Sequence, residues 1–135
     1  MRIALGTDDD VPVVAAVARH LEVLGHTVDV VARPAPWPEA GYRVGQAVAS
    51  GRADMGVVCC WTGTGVSIAA NKVPGVRAAL CADAVTADGA RRWNDANVLA
   101  LSLRTTTEAL AGEIVEAFLA GRPEPGQAGL IHSLE

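Results

Sequence analysis

The sequence predicts an α/β protein in which helices cover both faces of a parallel sheet. Five short apolar segments have the length and glycine boundaries of buried strands, and helix-like segments separate them. Such alternation is typical of parallel sheets with crossover helices. The chain has 135 residues, of which 50% are hydrophobic, enough for a substantial core. We therefore expect residues 1–135 to form a single domain.

The first strand and helix come from the N-terminal 25 residues. Residues 2–7 form a short apolar run, and the segment after it carries apolar residues at helical spacing. Asp10 is the predicted N-cap of this helix, Pro12 suits its first turn, and Gly25 suits its end. The apolar stripe consists of Val13, Val17, Leu21 and Leu24.

The next segment contains a second strand, a loop and a second helix. Residues 27–31 have the apolar character of a strand. Residues 33–39 carry prolines at three alternate positions, so we expect them to be a loop. Residues 42–50 are predicted to be helical, with Gly51 as the stop.

The second half of the chain continues the alternation. Its predicted elements are a strand over 54–60, a helix over 67–72, a strand over 77–81, a helix over 84–93, a strand over 97–103, and a helix marked by Leu110, Ile114 and Phe118. Residues 121–135 are rich in proline and glycine, so an extended tail is expected. In parallel sheets the site lies beyond the carboxyl ends of the strands.

The most informative stretch runs from Val57 to Lys72, where a strand passes through a glycine-rich turn into a helix. Backbone N–H groups at such a helix start face whatever lies above the strand end. A thiol there, at Cys60, gains acidity and is a potential base or nucleophile. Cys59 points to the opposite face, and a core role suits it, as it does most cysteines. The glycines match neither a dinucleotide fingerprint nor a phosphate-binding P-loop.

Composition excludes several classes of function. The net charge is −4 with no basic cluster, so nothing indicates nucleic-acid binding. No apolar run reaches the length of a membrane span, and the N-terminus lacks a signal-peptide pattern. Three cysteines, two of them adjacent, and three scattered histidines form neither a disulfide framework nor a metal site. We expect a cytoplasmic protein without a metal.

Two stretches carry a resemblance to a known family. The sequence is SIAANKVPGVRAALC over residues 67–81 and NDANVLAL over residues 94–101. In both, the chain resembles the type B ribose-5-phosphate isomerases and the related galactose-6-phosphate isomerase subunits. The resemblance implies a three-layer Rossmann-like (flavodoxin-like) fold with a five-stranded parallel sheet. It also implies a homodimer or homotetramer whose sites lie between subunits, without cofactor or metal.

The resemblance further implies a reaction and a set of site residues. The reaction interconverts an aldose and a ketose as a base moves a proton between C1 and C2 through a cis-enediolate. Cys60 matches the base of one branch of the family, while Val66 stands where the other branch has a glutamate. Asp8 matches an aspartate that assists ring opening. The other matches are the loop Thr62, Gly63, Thr64 and Gly65, which stabilises the enediolate, Asn94 and Asn97 near the sugar, and Arg104.

The chain also departs from this family at several site positions. Asp9 and Trp93 replace histidines, and Trp61 replaces a glycine. The arginines and histidine that hold the phosphate near the C-terminus of the family have no counterpart here. We expect Asp9, Trp61 and Trp93 to contact a substrate that differs from ribose 5-phosphate. The alternatives are that the tryptophans fill space and that Asp9 and Asp10 serve the start of a helix.

Three functions are compatible with these residues. The first is a sugar isomerase that uses Cys60 on an altered, sugar-like small molecule. The second is a relative with other chemistry, such as epimerisation, elimination or thiol addition, on a substrate without phosphate. The third is a non-catalytic binding or partner subunit. Retention of Cys60 and the complete glycine loop favours the first, although fold alone does not determine function.

Overall fold

The computed structural model describes residues 1–135 and contains five strands and six helices that alternate along the chain. No helix combines the length and apolar character that crossing a bilayer requires. The elements are β1 (Arg2–Thr7), α1 (Pro12–Val23), β2 (Thr27–Ala32), α2 (Trp37–Ala49), β3 (Met55–Cys60), α3 (Thr64–Asn71), β4 (Ala78–Leu80), α4 (Ala84–Asn94), β5 (Val98–Ser102), α5 (Glu108–Ala120) and, after a 3₁₀ turn (Pro125–Gln127), α6 (Ala128–His132).

All five strands are parallel and lie in the order β2-β1-β3-β5-β4, which confirms the predicted α/β fold. A flavodoxin sheet has the order 2-1-3-4-5, so the last two strands are exchanged here. The burial of the two strands agrees with this order. All five residues of β5 are buried, as an interior strand requires, whereas the three residues of β4 are half-buried or exposed.

Two apolar layers enclose the sheet. On one face, α1, α4 and α5 pack against alternate strand residues that include Ile3, Val57 and Cys59. On the other face, α2 and α3 pack against Ala4, Val58 and other residues of the opposite set. The period of two along each strand produces this separation. Helices on both faces explain why β1, β3 and β5 are almost wholly buried.

Three predicted helix starts are wrong, and the simplest case is α3, which begins at Thr64 rather than at residue 67. The N-cap of α1 is Val11 rather than Asp10, because the Asp10 carboxylate accepts a 2.9 Å hydrogen bond from Arg33 Nε instead. The three-proline segment is a loop only as far as Pro36. Helix α2 begins at Trp37 with proline in its first turn, where the missing N–H group of that residue costs no helical hydrogen bond.

The tail is folded rather than extended, which corrects a further prediction. A 3₁₀ turn and α6 together occupy residues 125–132. Two ion pairs hold this segment against the rest of the chain: Glu124 bonds to Arg92, and Glu135 Oε1 lies 2.8 Å from Arg77 Nη1. Proline and glycine content indicated irregular structure, but it carried no information about these charge pairs.

Candidate active site

The site is built where β1 and β3 end side by side. The helix that follows β1 packs on one face of the sheet, and the helix that follows β3 packs on the other. This divergence opens a crevice above the two strand ends, the usual ligand position in open α/β sheets. The two strand ends are joined by a 3.2 Å hydrogen bond from Asp8 N to Cys59 O. Asp8 and Cys60 therefore border the same crevice.

The two adjacent cysteines have different surroundings, as strand alternation predicts. Cys60 lies on the α2 and α3 face at the last position of β3 and is 5% exposed, whereas Cys59 is fully buried on the other face. Desolvation, with the charges of Cys60 and Asp8, raises the pKa of the Cys59 thiol to about 12. Burial, with the charge of Asp83, raises the pKa of Cys81 to about 11. Both of these thiols are held protonated near neutral pH.

The glycine loop after β3 is tightly constrained. Gly63 has a φ of +75° and precedes the first residue of α3. A β-carbon there would lie 2.5 Å from Leu80 Cδ1 and 3.0 Å from the backbone of Leu101, so only glycine fits. No side chain caps α3, and its first-turn N–H groups are available to an anion. The Thr62 and Thr64 hydroxyls form a 2.7 Å hydrogen bond with each other across the loop.

One oxygen of the Asp8 carboxyl lacks a partner in the folded chain. Its Oδ1 atom is buried and accepts no hydrogen bond. Desolvation raises the pKa of Asp8, and the neighbouring charge of Asp9 adds to that effect. Asp9 itself is exposed, and its backbone is fixed through Thr7 Oγ1, which donates to Asp9 O at 2.7 Å. Asp8 therefore offers an unused acceptor beside Cys60, and neither Asp9 nor Asp10 caps a helix.

All three tryptophans lie outside the core, with exposures of 45% for Trp37, 60% for Trp61 and 50% for Trp93. The Trp37 ring packs on Gly65, where a β-carbon would lie 2.9 Å from it. Trp37 thus borders the crevice, and it stands at the start of a helix rather than in the loop predicted over residues 33–39. Trp93 packs on Gly89 of α4, with the Arg92 guanidinium 5.6 Å from its ring.

Arg104 follows β5 on the other side of the glycine loop. Its backbone N–H donates to Trp61 O at 3.0 Å, and its exposed side chain takes part in no ion pair. A cavity of about 210 Å³ adjoins it. The polar residues that line this cavity are Thr62, Ser102, Arg104 and Thr105. Arg104 is thus the one unpaired cation near the loop.

The structure does not bring Trp93, Asn94 and Asn97 to this crevice within one chain. Asn97 precedes β5, whose last residue, Ser102, is level with Cys60. At 3.3 Å per residue, the two ends are about 16 Å apart. Asn97 is also engaged locally, because its Oδ1 accepts from Arg77 N at 2.8 Å and its Nδ2 donates to Gly75 O at 2.9 Å.

The end of α4 contains a buried arginine, although arginine is among the residue types that are mostly exposed. Arg91 is 5% exposed, and its Nη1 atom donates to Ala96 O at 2.6 Å and to Asp95 Oδ1 at 2.8 Å. Its guanidinium also lies 5.7 Å from the Phe118 ring. Asp95, at φ +48°, closes the helix in a left-handed conformation. The i,i+4 spacing of Arg91 and Asp95 was the available signal.

Comparison with known proteins agrees with this architecture. The family model described as Ribose/Galactose Isomerase matches residues 3–130. The chain is 39% identical over 132 residues to galactose-6-phosphate isomerase subunit LacB of Clostridium acetobutylicum, covering 93% of this chain and 75% of that protein. It is 38% identical over 106 residues to D-erythrulose-4-phosphate isomerase of Pectobacterium atrosepticum, covering 78% and 70%.

A solved structure extends the similarity to the whole fold. Ribose-5-phosphate isomerase B of Clostridium thermocellum superposes with a TM-score of 0.93 at 36% identity, covering 99% of this chain and 95% of that one. The superposition spans nearly every residue of both chains. On fold and sequence together, the chain belongs to the ribose/galactose isomerase family.

Proposed function

We propose that the protein is a cofactor-independent aldose–ketose isomerase that uses Cys60 as its base. The observation that carries this proposal is the placement of one thiol at a strand end, between an uncapped helix start and a carboxyl with one unpartnered oxygen. A base beside preorganised hydrogen-bond donors suits a reaction that forms an oxyanion. Membership of the sugar isomerase family supports the same reaction type.

The proposed reaction is a proton transfer between adjacent carbons. Asp8 assists opening of the sugar ring through its free carboxylate oxygen. The Cys60 thiolate then removes the C2 proton of the open aldose, and the C2–H electron pair forms the enediolate double bond while charge moves to O1. First-turn N–H groups of α3 stabilise that charge. The Cys60 thiol returns the proton to C1 as O2 becomes the ketose carbonyl, with its hydroxyl proton moving to O1. Thr62 contacts the reacting oxygens.

We further propose that the working site lies between two copies of the chain. Trp93 and Asn94 end the helix that precedes β5, so they lie at the opposite edge of the sheet from Cys60 in one protomer, and they are exposed. A symmetric dimer brings the α4 end of one protomer to the crevice of the other, and repeats the contact twice. Trp61, Asp9 and Arg104 contribute from the crevice side, and Asn97 supports the α4 end. A homodimer or homotetramer is expected by light scattering, and a monomer at micromolar concentration contradicts the shared site.

The remaining proposals concern compartment and substrate. We place the protein in the cytoplasm, as one domain over residues 1–135, since a reducing compartment keeps the proposed thiol base free. Relatives are named for phosphorylated sugars of different lengths. Here Trp93 stands where a ring-opening histidine is expected, so activity on ribose 5-phosphate should be weak. Loss of one general acid or base typically lowers the rate ~10²–10⁴-fold.

Exchange of substrate hydrogen with solvent tests the proposed reaction. Aldoses incubated in D₂O with the enzyme should acquire deuterium at C2, measured by proton NMR. Cys60→Ser should lower exchange ~10²–10⁴-fold, while the control Cys59→Ala, on the opposite face, should retain it. Exchange that survives in Cys60→Ser excludes Cys60 as the base. Absence of exchange with every sugar tested, in the folded wild-type protein, favours the non-catalytic subunit instead.

A further inference from the structure

Most cations of this chain are neutralised by carboxylates of the same chain. The sequence has 11 lysine and arginine residues against 15 aspartates and glutamates. All but three of these cations take part in an ion pair, and the exceptions are Lys72, Arg104 and Arg122. Because carboxylates are in excess, an arginine that remains without one is available to an anion from outside the chain.

Arg122 lies beside the end of α4. The chain leaves α5 with an extended backbone, with φ −69° and ψ 151° at Gly121 and φ −76° and ψ 131° at Glu124. A β-carbon on Gly121 would lie 2.6 Å from Arg91 Cβ, so the two backbones are in close contact. Glu124 N donates a 2.8 Å hydrogen bond to Arg92 O. Arg122 stands between these two contacts, next to the helix end that the proposed dimer presents to the partner's crevice.

No carboxylate near the end of α4 is left to neutralise Arg122, whose side chain is exposed. Each carboxylate of α4, of its C-cap and of the tail is already bonded to another arginine: Asp88 and Glu124 to Arg92, Asp95 to Arg77 and Arg91, and Glu135 to Arg77. Pro123 restricts the backbone of Arg122 to an extended conformation. The guanidinium is therefore a free cation on a stiff segment.

The charges of the crevice are arranged in a row along the strand ends. Asp8 and Asp9 follow β1, whereas Arg104 follows β5. Cys60 ends β3, which lies between those two strands. Adjacent strands are about 4.8 Å apart, so the ends of β1 and β5 are separated by about 10 Å. A ligand that lies across Cys60 therefore has its anionic part favoured on the Arg104 side.

We infer that Arg104 of one protomer and Arg122 of the other together bind the phosphate group of a sugar phosphate substrate. A phosphate carries a charge of about −1.5 to −2 at neutral pH, and it needs cations to offset the loss of hydration. In the proposed mechanism the first-turn N–H groups of α3 stabilise the enediolate, so the phosphate requires other partners. Two free arginines, one on each side of the shared site, match its charge. This inference rests on the proposed function and names the residues that recognise its substrate.

Binding of inorganic phosphate tests the inference without turnover. Titration followed by ³¹P NMR should show one phosphate bound per protomer of the wild-type protein. Arg122→Gln and Arg104→Gln should each raise its Kd about 10–100-fold, the effect of losing a hydrogen bond between charged groups. Lys72→Gln is the matched control, because it removes an equal charge from an exposed, unpaired cation at the end of α3, and it should leave Kd unchanged. Light scattering and circular dichroism establish that every variant is folded and dimeric.

Kinetics test the same residues on the substrate. Deuterium exchange at C2 is measured for the phosphates of ribose, galactose and erythrose, and the one that exchanges fastest is used. Arg122→Gln should raise its KM about 10–100-fold and change kcat little, since a contact remote from C1 and C2 contributes equally to ground-state and transition-state binding. Arg122→Lys, which keeps the charge without the planar fork, should have an intermediate KM.

The outcomes separate the two levels of the proposal. Weaker phosphate binding in both arginine variants, with a higher KM, supports the inference. Unchanged Kd and KM in Arg122→Gln overturn it, and exchange that still requires Cys60 leaves the isomerase function standing. Two phosphates per protomer, each lost in only one variant, also overturn it, as does a wild-type protein that binds no phosphate. Absence of exchange with every sugar phosphate counts against the isomerase function, while the phosphate titration still decides whether the two arginines bind one anion.

Discussion

Replacement of Gly63 by alanine should destabilise the protein more than replacement of any other left-handed glycine. Gly63 has a φ of +75°, and its missing β-carbon would lie 2.5 Å from Leu80 Cδ1. The same atom would lie 3.0 Å from the Leu101 carbonyl carbon and from Ser102 N. The leucine side chain can move, but the β5 backbone, which is paired on both sides, cannot.

The expected magnitude is the sum of two costs. A left-handed backbone costs an alanine about 1–2 kcal/mol, and overpacking in a rigid environment costs about 1–3 kcal/mol. Gly63→Ala should therefore lower the free energy of unfolding by roughly 2–5 kcal/mol. Gly51→Ala is the matched control, because Gly51 has a φ of +80° but no atom within 4 Å of the added carbon. It should show only the first cost.

Urea denaturation followed by circular dichroism measures both variants at one protein concentration, since dimerisation would make stability depend on it. The difference between the variants isolates the contact with β5. Equal losses in the two variants would show that β5 does not constrain the loop. The first turn of α3 would then lack the rigidity that the proposed oxyanion site requires.

Three further predictions follow from the titrating and buried groups. Iodoacetamide at pH 8 should label Cys60 alone in the native protein, because burial raises the pKa of Cys59 to about 12 and of Cys81 to about 11. Peptide mass spectrometry measures the labelling of each cysteine. Equal labelling of all three cysteines contradicts the prediction. Asp8→Asn should raise the free energy of unfolding by about 1 kcal/mol at pH 7. The pKa of Asp8 is raised above 3.8 in the folded state, so the fold favours the protonated carboxyl. The stability that this preference contributes is fully present below pH 3.8 and is lost as the pH rises through the folded-state pKa. The gain in Asp8→Asn should therefore grow from about pH 4 to 7, and a gain that does not change with pH assigns it to another cause. Arg91→Met should cost about 3 kcal/mol of unfolding free energy, because it leaves Ala96 O unpaired. Arg52 is the control: it is exposed, its ion pair with Asp29 spans 3.6 Å, and Arg52→Met should cost less than about 0.5 kcal/mol of unfolding free energy. Thermal melts measure both variants, and similar losses of stability would refute the burial argument.

The strands were predictable because they are buried on both faces. β1 and β3 are apolar runs closed by glycine or by a turn, and their bounds lie within one residue of those predicted from the sequence. The exchange of β4 and β5 was not predictable, since no local pattern specifies which strand lies at an edge. Helix starts were less predictable where charge pairing intervened: Arg33 engages the Asp10 carboxylate that sequence alone had assigned to α1.

The chemical character of the site residues was easier to predict from the sequence than their positions in space. The alternation of side chains along a strand separates Cys59 from Cys60, and the structure has this arrangement. The separation of Cys60 from the end of α4 follows from the predicted topology, because a helix between parallel strands ends at the opposite edge of the sheet from the strand ends. Trp37 was among the tryptophans expected near a shared cleft, but its position at the start of α2 was not predicted, because the prolines that flank it indicated a loop. Arg91 was missed because its burial depends on Asp95, four residues further along.

The placement of Cys60 and Asn94 at opposite ends of the sheet has a genetic consequence. In the proposed dimer, each site takes its thiol from one protomer and its α4 end from the other. A Cys60→Ser protomer and an Asn94→Ala protomer, each inactive as a homodimer, should form a mixed dimer in which one site carries both lesions and the other carries neither. Two defective alleles in one cell should therefore complement each other, a behaviour that a site confined to one chain cannot show.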